Sequence, residues 1–260
     1  MKLILAIMVV WVGFGMTTDP NRIFLPDAVG FFEVLFHEIA SGRLLENILA
    51  TFARVFFGLA IGLFIGLPLG IVLGVSNAAR REIMPLIEFF RGIPTSMLFP
   101  VFIVLFGIGE LSKTAIIAST TFPIILINTV VGCMPRPEIQ DRRDYLAVHA
   151  RHLPVSVKML VTVWDALPPI IGGLKVAISI SLVLTIVTEM FFVASSGVGW
   201  AAHQAYLGFD LELMYCYVIV VGIIGLALNQ LFDLGYRKVS EALGDFNGKK
   251  GWRGPRNEDA

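Results

Sequence analysis

Apolar residues gather into a series of runs separated by polar stretches. A helix needs about 20 mostly apolar residues to cross a hydrocarbon core of about 30 Å. Residues 3–16 form a first, short run, and residues 56–75 form a clean second one. Residues 93–108 are apolar but interrupted by Pro94 and Pro100, and 115–134 make a fourth run. Residues 170–194 form a long run holding Lys175 and Glu189, and 214–234 form the last. The pattern predicts an all-α, polytopic membrane protein with about six transmembrane helices.

Composition strengthens that reading. The chain has 260 residues, of which 56% are hydrophobic and 15% charged, and its mean hydropathy is +0.80. Soluble domains carry about 25% charged residues. The 20 basic and 20 acidic residues cancel, so no basic field points to nucleic acid. Cys133 and Cys216 both sit in apolar stretches, which excludes a disulfide scaffold and a Cys-rich metal site. His37, His149, His152 and His203 have no metal-ligand spacing, and no metal site is expected.

Charge placement orients the spans. Lys2, Arg80, Arg81, Arg91, Arg136, Arg142, Arg143, Arg151 and Lys158 fall in segments assigned to the inside. So do Arg237, Lys238, Lys249, Lys250, Arg253 and Arg256 in the tail. The outside segments carry Arg22, Arg43 and Lys113. Lys and Arg favour the cytoplasmic side, so both termini are expected there. The first run also resembles a signal peptide. However, Gly15-Met16-Thr17-Thr18-Asp19 matches a small-residue cleavage pattern poorly. It is therefore expected to remain as a span over 1–18.

The connections are informative. In the outer loop, 28–39 and 42–49 have helical apolar spacing and are expected as short helices at the interface. The outer loop 195–213 has no Lys or Arg, and its Trp200 and Tyr206 suit an interfacial position. The inner loop 135–169 is too long for a plain connector and has helix-like stretches at 137–153 and 155–166. There Arg142, Arg143, Asp144 and His149 would face water, while Tyr145, Leu146, Val148 and Leu153 form an apolar edge. Such a helix either lies on the inner leaflet or docks a cytosolic partner. The segment 244–260 is polar and Gly-rich. The chain thus divides into a first transmembrane helix (1–18) and a periplasmic loop with short helices (19–51). A core with helices 2–6 (52–236), including the inner loop 135–169, and a cytoplasmic tail (237–260) complete it.

Within the spans, Gly58, Gly62, Gly66, Gly70 and Gly74 repeat every four residues. A glycine face lets another backbone approach closely, so this is a packing seam. Ser181, Thr185 and Thr188 share one helix face beside Glu189. A carboxylate in a span faces protein or water. The face is either a pathway lining or gate, or interhelix glue with Glu189 paired to a base such as Arg54. Glu189 lies about 14 residues past Lys175, roughly 21 Å along a helix, and so in the outer half. Lys175, near the inner end, is expected to snorkel. Asn128, Thr129, Asn229 and Gln230 suit helix–helix hydrogen bonds. Gly244-Asp245-Phe246-Asn247-Gly248-Lys249-Lys250 lacks the spacing and the Ser or Thr of a phosphate loop. No catalytic constellation occurs, and the chain is not expected to be an enzyme.

Several segments together resemble a known family. They are Phe24-Leu25-Pro26, Ser41-Gly42-Arg43-Leu44-Leu45, Arg54-Val55-Phe56-Phe57-Gly58, Gly66-Leu67-Pro68-Leu69-Gly70 and Gly107-Ile108-Gly109-Glu110. Next come Pro85-Leu86-Ile87-Glu88, Arg91-Gly92-Ile93-Pro94, Ile127-Asn128-Thr129, and the stretch from Ala166-Leu167-Pro168-Pro169 to Lys175. Glu189-Met190 and Ser195-Ser196-Gly197-Val198-Gly199 follow. In order and spacing, from about Phe24 to Arg237, the chain resembles the inner-membrane permeases of bacterial ABC importers. The subgroup it is similar to handles nitrate, sulfonates, taurine, bicarbonate or pyrimidine precursors.

The resemblance implies the type I ABC importer (MetI-like) permease fold in a bacterial inner membrane. It implies a second permease chain, cytosolic ABC ATPase subunits and a periplasmic solute-binding protein as partners, besides membrane lipid. ATP and Mg would sit on the ATPase, with no cofactor on this chain. The family's inner-loop signature, Glu-Ala-Ala then Gly after three residues, falls on Tyr145-Leu146-Ala147 and Arg151, where only the last Ala is kept. Arg142, Arg143, Tyr145, Leu146, Ala147, His149 and Arg151 are thus the implied ATPase-coupling residues. Ser181, Thr185, Thr188 and Glu189 are the pathway or gate candidates. The mechanism implied is alternating access for a small anionic solute. A stand-alone secondary transporter or channel is the alternative; internal inverted repeats would favour it, and the hydropathy pattern displays none. A membrane scaffold without transport is a third reading.

Overall fold

A computed structural model describes residues 28–134, 155–191 and 195–246. Everything described is helical or connecting chain. Helix α1 spans Ala28–Ala40, α2 Arg43–Val75, α3 Asn77–Gly92, α4 Phe99–Phe106, α5 Glu110–Cys133, α6 Val155–Phe191, α7 Val198–Leu207 and α8 Leu211–Phe246. A 3₁₀ turn, Thr95–Leu98, precedes α4.

Four of these helices are long and apolar enough to cross a membrane: Arg43–Val75, Glu110–Cys133, Leu160–Phe191 and Leu211–Tyr236. They fall on the runs at 56–75, 115–134, 170–194 and 214–234, the third followed in the described residues as far as Phe191. The run at 93–108 is not one straight helix. Here α3 and the Thr95–Phe106 segment meet at 89°, so together they count at most as one bent span. Ile93-Pro94 is the corner, because proline disfavours helical geometry in the residue before it; Ile93 is accordingly extended, with ψ 119°. The first run, 1–18, lies outside the described residues.

The expected short helix at 42–49 instead forms the opening turns of α2, so the loop expected to run to residue 51 ends at residue 42. Gly42 makes that corner possible: its φ is +76°, a left-handed conformation that glycine enters at no steric cost. The helix expected at 155–166 likewise runs unbroken into α6, through Pro168 and Pro169. The outer loop 195–213 contains a helix its small-residue composition did not suggest, α7.

The glycine seam closes within the chain, against α5. A Cβ on Gly66 would stand 2.6 Å from the Phe122 carbonyl oxygen, and one on Gly70 2.7 Å from that of Leu126. A Cβ on Gly58, Gly62 or Gly74 would run into the side chains of Ile117, Thr121 and Cys133. Five missing side chains thus let two backbones come within van der Waals reach over about four turns. Gly132 makes the next contact, against Ala166 of α6. Leu73, Ile87, Leu126 and Val130 form the core at this end, and Val55, Leu182, Val198, Ala201, Tyr217, Val220 and Ile224 the core at the other.

Candidate functional site

Where α2, α5, α6 and α7 converge, the apolar packing gives way to a knot of four ions, of which Arg54, Lys113 and Glu189 are buried. Arg54 of α2 is at its centre. Its Nη1 donates to Glu189 Oε1 of α6 at 2.6 Å and to the Ser196 carbonyl at 2.9 Å. Its Nε and Nη2 donate to the two carboxylate oxygens of Glu110, at 2.7 and 2.9 Å. Lys113, one turn along α5, donates to Glu110 Oε1 at 2.9 Å. Two cations and two carboxylates therefore balance. The balance matters because an uncompensated charge in low dielectric costs several kcal/mol.

Glu189 is fully buried and satisfied from three sides. Besides Arg54, Thr51 Oγ1 donates to it at 2.9 Å, and the Gly199 N–H at 2.8 Å. Thr51 in turn accepts the Val198 N–H at 2.9 Å. These N–H groups belong to the first turn of α7, where unsatisfied donors and the helix dipole favour a carboxylate. The loop must pass close to the acid to bring them in. Gly197 has φ +125°, and a Cβ there would fall 2.5 Å from Glu189 Oε1. Gly199 is as tight, with a Cβ placed 2.5 Å from the Ile186 carbonyl. This is the physical reason for Gly197-Val198-Gly199.

The network continues outward. Gly197 N–H donates to Asn47 Oδ1 at 2.8 Å, and Asn47 Nδ2 donates to Tyr217 Oη of α8 at 2.9 Å. Tyr217 donates to Glu38 Oε2 of α1 at 2.6 Å, and Glu38 pairs with Arg43 at 2.6 Å. Four of the polar residues, Arg43, Asn47, Thr51 and Arg54, come from one stripe of α2, with Glu38 of α1 just before it. Their i, i+4, i+8, i+11 spacing was readable in the sequence; what they bind was not.

Ser181, Thr185 and Thr188 are fully buried. Their hydroxyls return to carbonyls of their own helix, those of Ile178, Ser181 and Thr185, at 2.7–2.8 Å. Glu189 makes the pairing with Arg54 weighed above. Asn229 does bridge helices, accepting Ser179 Oγ at 3.1 Å. Asn128 and Thr129 instead donate to the Ile124 and Ile125 carbonyls of α5 itself. Lys175 pairs with Asp233 of α8 at 2.6 Å. The coupling candidates Arg142, Arg143, Tyr145, Leu146, Ala147, His149 and Arg151 lie outside the described residues. Among the described residues no group of three or more His, Cys, Asp or Glu side chains converges as a metal site. Glu38, Arg43, Asn47, Thr51, Glu110, Lys113 and Tyr217 are the members of this network to which sequence reasoning gave no site role.

Four helices long and apolar enough to cross a membrane, tied together by mutually paired ions, fit a multi-pass membrane protein. Similarity to known proteins makes the class specific. The putative aliphatic sulfonates transport permease SsuC of Escherichia coli is 33% identical over 206 residues, 78% of this chain and 74% of that protein. A probable ABC transporter permease of Brucella melitensis is 27% identical over 231 residues, covering 88% and 92%. The chain of a solved structure, the MetNI methionine ABC transporter, superposes with TM-score 0.64 at 21% identity, over 75% of this chain and 95% of that one. No family model matches. The chain belongs to the ABC importer permeases of the nitrate, sulfonate and taurine type, and its fold is that of a type I importer permease. It is a transport subunit.

Proposed function

We propose that this permease forms, with a second permease chain, the inner-membrane pathway for a small anionic solute such as a sulfonate, taurine, nitrate or bicarbonate. A periplasmic binding protein delivers the solute, and cytosolic ATPases holding ATP and magnesium drive the cycle. The observation that carries this reading is the match to the sulfonate permease over most of both chains. The relatives and the fold favour it over a stand-alone carrier. On this reading the inner loop, with Arg142, Arg143, Tyr145, Leu146, Ala147, His149 and Arg151, is the lever engaged by the ATPase. Ser181, Thr185, Thr188 and Glu189 of α6 border the pathway or its gate. ATP binding would close the ATPase pair and rock the helix bundles outward, and hydrolysis would reset them.

The test is to express the tagged chain with its neighbouring genes, extract it in mild detergent and identify what co-purifies. An ATPase subunit should come with it, and should be lost when Tyr145, Leu146 and Arg151 are all changed to Asp. A well-folded chain that brings down no co-expressed ATPase would sink the coupling assignment.

A further inference from the structure

The four charges of the knot are not equally committed. Glu189, Arg54 and Lys113 are 0%, 6% and 1% exposed. The Glu110 side chain is 61% exposed. Yet Glu110 receives three donors on two oxygens: Arg54 Nε, Arg54 Nη2 and Lys113 Nζ, at 2.7, 2.9 and 2.9 Å. A planar guanidinium fork with an ammonium beside it is the arrangement that binds a carboxylate, sulfonate or nitrate two oxygens at a time. Glu110 is thus a tethered oxyanion filling a built cationic seat from the solvent side.

We propose that the Arg54–Lys113 pair is an oxyanion-binding seat, occupied here by the chain's own Glu110, and that a small monovalent oxyanion solute takes the seat when Glu110 turns outward. Charge decides the valence. With Glu110 withdrawn, Arg54, Lys113 and Glu189 leave one positive charge among buried groups, which one monovalent anion neutralises. The exchange needs only a side-chain rotation. Thr114 Oγ1 donates to the Glu110 carbonyl at 2.8 Å, and Ser112 Oγ to the Gly107 carbonyl, so the backbone on both sides is tied. The Glu110 side chain already stands 61% exposed, so turning it outward displaces no packed group. Glu189 cannot leave in this way, being enclosed by Thr51, Arg54 and the Gly199 N–H. The proposal rests on the importer reading and adds the place where this chain would meet the anion. Because Glu110 competes, the seat should bind weakly, as a transit site must.

The experiment uses the full chain in lipid-free dodecyl maltoside, with methanesulfonate as the probe and chloride at matched ionic strength as the control. Glu110→Gln removes the competing carboxylate. It should melt lower than wild type in chloride, recover in methanesulfonate, and bind methanesulfonate at least about tenfold more tightly than wild type. Adding Lys113→Met should abolish the gain. If Glu110→Gln yields no folded chain, Glu110→Asp keeps the charge but draws the carboxylate back by one methylene, and it too should bind the probe more tightly than wild type. No response, or an equal response to chloride, overturns the seat. A response to phosphatidylglycerol but not to methanesulfonate gives the seat to a lipid headgroup and overturns the solute. ATPase co-purification with no anion response leaves the importer reading standing and the seat refuted; anion binding without an ATPase does the reverse.

Discussion

Helices α2 and α5 are joined in two stretches, by opposite means. Along Gly58 to Gly74 they touch because side chains are missing. At Arg54 they are joined by charges, to Glu110 directly and to Lys113 through it. The glycine stretch works by contact alone, and dispersion is short-ranged and insensitive to salt or partner exchange. The ionic stretch is long-ranged and conditional: each charge is tolerable only while its partner stays. A steric seam suits a pair of helices that move as one body. An ionic knot across α2, α5, α6 and α7 suits a junction whose members can exchange partners.

The contrast can be broken from either side. The largest effect should come from leaving one buried ion alone. Glu189→Leu strands part of Arg54 and should cost about 3–5 kcal/mol, read as lost thermal stability or lost monodisperse yield in detergent. Combining it with Arg54→Leu should recover part of that loss; a double variant worse than either single one would contradict the ionic account. Next is the seam. Gly70→Leu drives a side chain into Thr129 and the Leu126 carbonyl, and overpacking of this kind costs about 1–3 kcal/mol or more. Gly222, with nothing within 4 Å of its added Cβ, is the matching control and should accept Ala nearly unchanged. Thr51→Val keeps the volume but removes the hydroxyl between Val198 N–H and Glu189; about 1–3 kcal/mol is expected, with faster hydrogen exchange at Val198. The smallest effect should be Lys175→Met. Its partner Asp233 and Lys175 itself are 47% and 43% exposed, and such pairs contribute up to about 1 kcal/mol.

Legibility differed between the two joints. The glycine seam was visible because a period of four residues on a helix is a property of one segment. Its partner was not, since nothing in the glycines names the helix that covers them. Glu189 was visible as an acid in a span, and Arg54 as a base that could answer it. Glu110 and Lys113 gave no such signal: at the head of an apolar run they read as ordinary outer-loop charges. The corner at Ile93-Pro94 was marked by its prolines, whereas the continuity of α6 through Pro168-Pro169 was not. A proline is tolerated within a spanning helix when the freed backbone groups are satisfied again, and its presence alone does not tell whether they are.

The sequence by itself determined that the chain is helical, that it carries several segments apolar enough to cross a membrane, and which face of α2 is bare. Each depends on composition and period within one segment. Tertiary structure alone decided that Arg54 meets Glu110, 56 positions away, and Glu189, 135 positions away. It also decided that an exposed acid closes a seat made by two buried bases. Ion pairing depends on distance in space and on the dielectric around the pair, and neither is written in the order of residues along the chain.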